Sequence, residues 1–148
     1  MLKSALIAGM CVSLLNGAVP YALPQLPKFQ KQEIISVEDK RERIDDVLLT
    51  HYCICKKCCG KTPEHPAYGI TASGRTAEPY ISVAVDPTVI PLGSTVWLAY
   101  DDGRTVECRA DDTGGAIKGA RIDLCVPSHG EALELGIDRI TVYWKEAE

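Results

Sequence analysis

Six short runs of β-branched and aromatic residues are the feature that most restricts the fold of this chain. Each run has five or six residues and is bounded by turn residues, as expected of strands in a compact sheet. The predicted strands are Val47–Tyr52, Tyr80–Val85, Thr95–Tyr100, Thr105–Ala110, Ile122–Val126 and Ile140–Trp144. Asp102-Gly103 lies between the third and fourth runs and predicts a hairpin turn at that point.

One segment before the last predicted strand has a helical pattern. In "SHGEALELG", Ser128 can cap the helix, Glu131 follows three residues later, and Gly136 can end it. Six strands and one short helix in about 100 residues predict an all-β fold, a small closed barrel. Its core is expected to contain Val83, Val85, Val96, Leu98, Val106, Ile122, Leu124, Val142 and Trp144.

The N-terminal third of the chain predicts export followed by a linker. An apolar run, Ala5–Leu15, follows a lysine and precedes small residues, which is the pattern of a secretory signal. Because the run is short for a membrane span, residues 1–22 are predicted to be a signal peptide or an N-terminal anchor. The stretch 23–46 is first proline-rich and then charged, and predicts a linker. Residues 47–148 remain for the barrel domain.

Composition and charge exclude two classes of protein. The net charge is −4 and no basic cluster exceeds a short pair, so a nucleic-acid partner is not expected. The charged fraction of 24% is too high for a bundle of membrane helices. The chain is therefore expected to form one globular domain, which the predicted N-terminal signal exports.

A glycine-rich segment, "RADDTGGAIKGARIDL" at 109–124, places two carboxylates, Asp112 and Asp123, around a loop with few side chains. Glycine allows a ligand or another stretch of backbone to come close. The lysine and hydroxyl of a phosphate-binding loop do not follow, so that function is excluded. The D-T-G at Asp112 also occurs at the catalytic residue of aspartic proteases, which leaves half of a dimeric protease as one alternative.

Several long motifs together resemble one family. "SVAVDPTVIPLG", "ADDTGGAIKGARIDL" and "SHGEALELG" occur in this order after "YCICKKCCGKTPEHPAYGITASG". From about Leu49 to Trp144 the chain thus closely resembles the three-aspartate (3D) domain family, which includes stationary-phase survival proteins and the barrel of membrane-bound lytic transglycosylase A. The resemblance implies a six-stranded double-psi β-barrel. It also implies that the chain acts on peptidoglycan glycan strands, cleaving them with formation of a 1,6-anhydro sugar. An exported protein with this activity is expected to be secreted or associated with the cell wall.

The resemblance assigns roles to particular residues. The three aspartates of the family correspond to Asp86, Asp112 and Asp123, and Asp123 matches the position of the catalytic acid. Asp86 and Asp112 are expected to raise the pKa of Asp123 by like-charge repulsion. The neighbouring Asp111 is expected to be solvated. Substrate contacts are expected from Lys61, Thr113, Gly114 and Gly115. A non-catalytic wall-binding module of the expansin type is the main alternative, since double-psi barrels also occur in such proteins.

The barrel segment contains six cysteines, at positions 53, 55, 58, 59, 108 and 125. An exported chain usually oxidises such a set, so disulfides or buried structural thiols are favoured. "HYCICKKCC" leaves zinc binding with His51 as the less favoured alternative. His65 and His129 are expected to be loop or helix-cap residues. No metal ligand and no cofactor is therefore predicted, and the barrel is expected to fold on its own apolar core.

Overall fold

The computed structural model describes residues 41–148. The predicted signal peptide or anchor, 1–22, and residues 23–40 of the predicted linker lie outside the described residues. Eight elements follow one another along the described part of the chain: β1 (Glu42–Tyr52), α1 (Lys56–Cys59), β2 (Ser82–Ala84), β3 (Thr95–Ala99), β4 (Thr105–Asp112), β5 (Arg121–Cys125), α2 (His129–Leu135) and β6 (Asp138–Lys145).

The strands form a closed barrel in the order β1-β5-β2-β4-β3-β6. Two pairs, β1 with β5 and β2 with β4, are parallel, and the other four pairs are antiparallel. Closure leaves no strand edge unpaired, which allows such short strands to form a stable sheet. The predicted fold class, a six-stranded double-psi β-barrel, is confirmed.

The barrel begins earlier than the sequence predicted. Residues 42–46 of the predicted linker belong to β1, and the first three of them pair with β6, with Ile44 opposite Val142. The register shifts between Ile44 and Val47, where Asp46 has a φ of 55°. The charged side chains of this stretch are exposed, so the sequence there lacks the apolar alternation that indicates a strand. The first strand of the barrel therefore begins at Glu42 and not at Val47, where the sequence predicted it.

The hydrophobic core fills the barrel. Every predicted core residue belongs to it except Trp144, which is only partly buried against it. Burial of each such side chain contributes about 1.5–3 kcal/mol, so the barrel has a substantial core of its own. Six further members of the core were not predicted from the sequence: Val47, Leu49, Ile90, Cys108, Ala110 and Ile140.

The two helices are short. The predicted helix is confirmed as α2, because the Ser128 hydroxyl accepts a hydrogen bond from the Glu131 N–H at 3.1 Å and Gly136 follows with a φ of 65°. The single turn of α1 was not predicted; it ends at Gly60, whose N–H donates to the Lys56 carbonyl at 2.9 Å. Between residues 41 and 148, no helix is long and apolar enough to cross a bilayer.

Candidate active site

A cleft of about 280 Å³ opens where β4 and β5 meet the glycine-rich loop. Most of the site residues predicted from the sequence line this cleft, and they come from β4, β5, the loop and the segment after α1. The predicted residues that the structure brings together are Lys61, Asp112, Thr113, Gly114, Gly115 and Asp123. Of the predicted residues, Asp86 is missing from the lining of this cleft.

Asp123 lies in the middle of β5, held between Thr50 of β1 and Ala84 of β2. The Thr50 hydroxyl donates a hydrogen bond to Asp123 Oδ1 at 2.9 Å. Burial raises the pKa of the Asp123 carboxyl, and the negative charge of Asp112 adds to this effect, whereas the Thr50 hydrogen bond opposes it. The side chain is therefore a carboxyl on a rigid strand that holds a proton more tightly than a solvated aspartate does.

Asp112 ends β4, and three donors hold its carboxylate in place. The backbone N–H groups of Ala72 and Thr113 each donate to Oδ1 at 2.9 Å. The Tyr52 hydroxyl donates to Oδ2 at 3.3 Å. Burial raises the pKa of Tyr52, and Cys125 and Asp112 add to this effect, so this hydroxyl keeps its proton and can donate. The Asp112 carboxylate is thus fixed beside Asp123 and cannot turn freely.

The resemblance implied that Asp86 lies together with Asp112 and Asp123 and raises the pKa of Asp123. The structure instead places Asp86 outside the cleft lining. Its side chain is buried, with 8% exposed. The Gly119 N–H donates to Oδ2 at 2.9 Å, and the Thr88 hydroxyl and N–H donate to Oδ1 at 2.8 and 3.1 Å. These donors, that of Gly119 first, lower the pKa of Asp86 to about 2. Asp86 therefore anchors the end of the glycine-rich loop and is not among the groups that raise the pKa of Asp123.

This anchor predicts a specific dependence of stability on pH. Because the pKa of Asp86 is about 2 in the folded chain and about 3.9 in an unfolded one, its stabilisation is present above about pH 4 and is lost as the pH falls towards 2. We expect Asp86→Asn to lower the free energy of unfolding at neutral pH. The variant should also lose less stability than the unsubstituted chain between pH 4 and 2.

Urea unfolding at several pH values measures both effects. Asp101→Asn, a change at an exposed aspartate of the β3–β4 turn, is the matched control and should follow the unsubstituted chain. Equal acid sensitivity of Asp86→Asn and the unsubstituted chain would remove the role of Asp86 as a loop anchor.

The glycines of the loop have different functions. A Cβ at Gly114 would lie 2.7 Å from Cγ1 of Ile117, a side chain only 4% exposed. A Cβ at Gly115 would meet nothing within 4 Å. Gly114 is therefore required by the packing of the loop itself. The prediction that bare glycines give a ligand room applies to Gly115, which faces open space.

Asp111 is buried, and the prediction that it is solvated is wrong. Its side chain is 0% exposed. Oδ1 lies 2.7 Å from Arg109 Nε, and Oδ2 accepts a hydrogen bond from the Ser82 hydroxyl at 2.8 Å. Burial raises the pKa of Asp111, but the hydrogen bonds from Arg109 and Ser82 outweigh it and the pKa is lowered. The adjacent Asp111 and Asp112 therefore belong to different parts of the molecule.

Two residues of the site, Thr50 and Tyr52, were not predicted from the sequence. Both lie on β1, at positions that alternate with the core residues Val47 and Leu49. Side chains alternate between the two faces of a strand, so the pattern of Val47–Tyr52 could have indicated polar groups opposite the core. Lys61 lies at the cleft as predicted, and its Nζ is 3.5 Å from the Ile70 carbonyl.

Disulfides and buried structural thiols were the two roles favoured for the cysteines. Those of the described segment are all free, so no disulfide is formed among residues 41–148. Cys53, Cys108 and Cys125 are buried. Cys58 and Cys59 lie at the wall of the cleft. The Nδ1 atom of His51 lies 3.1 Å from the Gly136 carbonyl.

These features define a class of protein: a closed six-stranded β-barrel with two aspartates in a cleft beside a glycine-rich loop. Residues 81–144 match the family model described as the 3D domain. The matched segment runs from the residue before β2 into β6 and includes Asp86, Asp112 and Asp123. This segment matches the 3D domain, and the family resemblance seen in the sequence motifs is confirmed.

Two curated relatives from Bacillus subtilis (strain 168) are similar to this chain. Cell wall-binding protein YocH is 48% identical over 77 residues, which are 50% of this chain and 25% of that protein. SPbeta prophage-derived uncharacterized protein YorM is 36% identical over 111 residues, 74% of this chain and 45% of that protein. The match thus spans between a quarter and a half of the length of these relatives.

Two solved structures are also similar. MltA from E. coli has a TM-score of 0.44 and 27% identity, with 58% of this chain and 29% of that chain covered. The Streptomyces papain inhibitor has a TM-score of 0.48 and 20% identity, with 70% of this chain and 94% of that chain covered.

Proposed function

We propose that this chain is a lytic transglycosylase that cleaves the β-1,4 bond between N-acetylmuramic acid and N-acetylglucosamine in peptidoglycan. The observation that carries the proposal is the carboxyl of Asp123, which has a raised pKa, lies on a rigid strand and shares its cleft with the fixed carboxylate of Asp112. A carboxyl that holds its proton can protonate the leaving oxygen of a glycosidic bond, and a second carboxyl group in the same cleft can stabilise the charge that develops on the sugar.

In the proposed reaction Asp123 acts first as an acid and then as a base. Its proton passes to the glycosidic oxygen as the bond from that oxygen to C1 of the muramic acid breaks. The resulting carboxylate then takes the proton of the C6 hydroxyl while the C6 oxygen bonds to C1, which closes a 1,6-anhydro ring. One carboxyl is therefore sufficient, whereas a hydrolase needs a second one to activate water or to attack the sugar. Protons balance, and no cofactor is required.

Asp112 would act by its charge. The sugar carries developing positive charge at C1 as the bond breaks, and a carboxylate fixed in the cleft stabilises it without having to reorient. The donors from Ala72, Thr113 and Tyr52 supply that fixed orientation. The same negative charge helps Asp123 to retain its proton before the reaction.

Sugar binding is proposed for other residues that line the cleft. Lys61 and Thr113 offer donors to sugar hydroxyl and acetamide groups, and Gly115 leaves room for the glycan chain. Gly114 has no side chain to contact the sugar. It would contribute by allowing the loop to pack closely against Ile117.

A wall-related function, with the chain exported to or associated with the cell wall, has independent support. The 3D domain match covers the cleft aspartates, and a relative with 48% identity is named a cell wall-binding protein. That name also supports a second candidate, binding of the wall without cleavage. The aspartic protease hypothesis loses support because its D-T-G lies inside the 3D domain match.

Digestion of purified peptidoglycan by the full chain tests this proposal. We expect mainly 1,6-anhydro products, which mass spectrometry identifies and which labelled borohydride leaves unlabelled because the anhydro ring has no free reducing end. A muramidase digest of the same peptidoglycan is the control and should take up the label. Label in most of the product would identify a hydrolase. Retention of the chain on the wall without any soluble product would identify a binding module.

A further inference from the structure

Four side chains that carry metal-binding atoms lie close together, and none of them belongs to the proposed catalytic pair, Asp112 and Asp123. The four residues are Cys53, Cys55, Cys58 and His129. One potential ligand atom from each lies within 4.8 Å of all the others. Three of these residues follow β1 in the chain, and the fourth is the first residue of α2. We name this group the Cys₃His cluster.

Two separations within the cluster match those around a tetrahedral ion, and the separation between two of its sulfurs is too long for a disulfide. Two sulfurs bound tetrahedrally to Zn²⁺ at 2.3 Å lie about 3.8 Å apart, and such a sulfur lies about 3.5 Å from a bound imidazole nitrogen. The Sγ atoms of Cys53 and Cys58 are 3.8 Å apart. Cys58 Sγ is 3.3 Å from His129 Nδ1. A disulfide would require the two sulfurs to approach to about 2.05 Å.

Two nearby residues that could also bind a metal, Cys59 and His51, have other partners. Cys59 is the next residue after Cys58, but its Sγ points to backbone carbonyls, those of Ile54 at 2.9 Å and Cys55 at 3.2 Å. His51, the histidine that the sequence suggested as a zinc ligand, lies instead against the carbonyl of Gly136. The fourth ligand atom thus comes from a residue far along the chain.

The geometry points to a structural zinc site formed by Cys53, Cys55, Cys58 and His129. Three thiolates and one imidazole are an established ligand set for Zn²⁺, and four protein ligands leave no open position for catalysis. The buried Cys53 and the exposed Cys58 place the site at the surface, where an ion can reach it from solvent. The expectation from sequence that the chain binds no metal is thereby revised.

Such an ion would tie α1 to α2 across one wall of the cleft. Cys58 lies in both the cluster and the cleft lining, so an ion there would limit movement of that wall. The barrel core lies elsewhere and contains none of the four ligands. We therefore expect removal of the ion to loosen residues 53–59 and the start of α2 and to leave the barrel folded.

Metal analysis of the full chain tests the site. After purification with reductant and without chelator, we expect one Zn²⁺ per chain. The apoprotein titrated with Co²⁺ should show the thiolate charge-transfer and visible bands of a tetrahedral site. Cys55→Ser and His129→Gln should each weaken Co²⁺ binding by at least about 100-fold, because loss of even an outer-shell partner of a metal ligand costs about 10–100-fold.

Cys59→Ser is the matched control, since it removes a neighbouring thiol that is outside the cluster. It should bind Co²⁺ as the unsubstituted chain does. Hydrogen exchange should accelerate at residues 53–59 after chelation while the barrel strands stay protected. Three results would each overturn the site: no tetrahedral cobalt spectrum in the reduced chain, an equal loss in Cys59→Ser, or a Cys53–Cys58 disulfide in chain purified from an oxidising medium with excess Zn²⁺.

Discussion

Asp123→Asn is expected to lower the rate of glycan cleavage by at least about 100-fold, since transfer of a proton by a positioned side chain contributes about 10²–10⁴-fold to a rate. The amide keeps the shape of the side chain, and its oxygen can still accept the Thr50 hydrogen bond. It can neither give a proton to the leaving oxygen nor take one from the C6 hydroxyl. The measurement is the release of soluble anhydro products from peptidoglycan over time.

The same substitution should stabilise the fold at neutral pH. Because burial raises the folded-state pKa of Asp123, its ionised form is disfavoured in the folded chain, and stability falls as the pH rises through that pKa. Replacing the carboxyl by an amide removes this loss. Urea unfolding at neutral pH should thus give a higher free energy of unfolding for the variant, and a smaller decrease between acid and neutral pH.

Loss of activity together with retained or increased stability distinguishes a catalytic residue from a structural one. Asp101→Asn serves as the control for both measurements, because this aspartate is exposed on the β3–β4 turn and does not line the cleft. Asp123→Asn with more than about a tenth of the activity of the unsubstituted chain would exclude Asp123 as the acid, given the size of acid–base contributions. The proposed role would then pass to Asp112.

The strands were predictable from sequence because alternation and turn residues are local signals. Val96 and Leu98 alternate with half-buried residues along β3, and Gly103 takes the positive φ of 84° that its turn requires. The first five residues of β1 carry no such signal. Their pairing with β6 depends on a partner about a hundred residues away along the chain, which a charged stretch does not reveal.

The site was predictable in composition but not in geometry. The motifs identified Asp112 and Asp123, and both line the cleft. No local pattern could show that the Asp86 carboxylate would accept three hydrogen bonds at the end of the loop. The same limit applies to the cysteines: His129 is 71 residues from Cys58, and only the folded barrel brings the two together.

Asp111→Asn is expected to cause the largest loss of stability of any substitution proposed for this chain. Breaking a buried ion pair costs about 3–5 kcal/mol, because the remaining charge stays desolvated. The Asp111 carboxylate is 0% exposed and the Arg109 side chain is 27% exposed, so partial solvation of Arg109 places the expected loss near 3 kcal/mol. In the variant the Arg109 guanidinium would keep one acidic partner, Glu78, at 3.1 Å.

Asp112→Asn is the matched comparison, since it makes the same change one residue further along β4. Its carboxylate belongs to the cleft, so we expect a clear fall in glycan cleavage and a smaller loss of stability than in Asp111→Asn. Urea unfolding and product release, measured on both variants, give a crossed pattern if the two neighbours have separate roles. Equal stabilities would mean that the Arg109–Asp111 pair contributes little. The attraction between the two charges would then only offset the cost of removing them from water, as in some buried ion pairs.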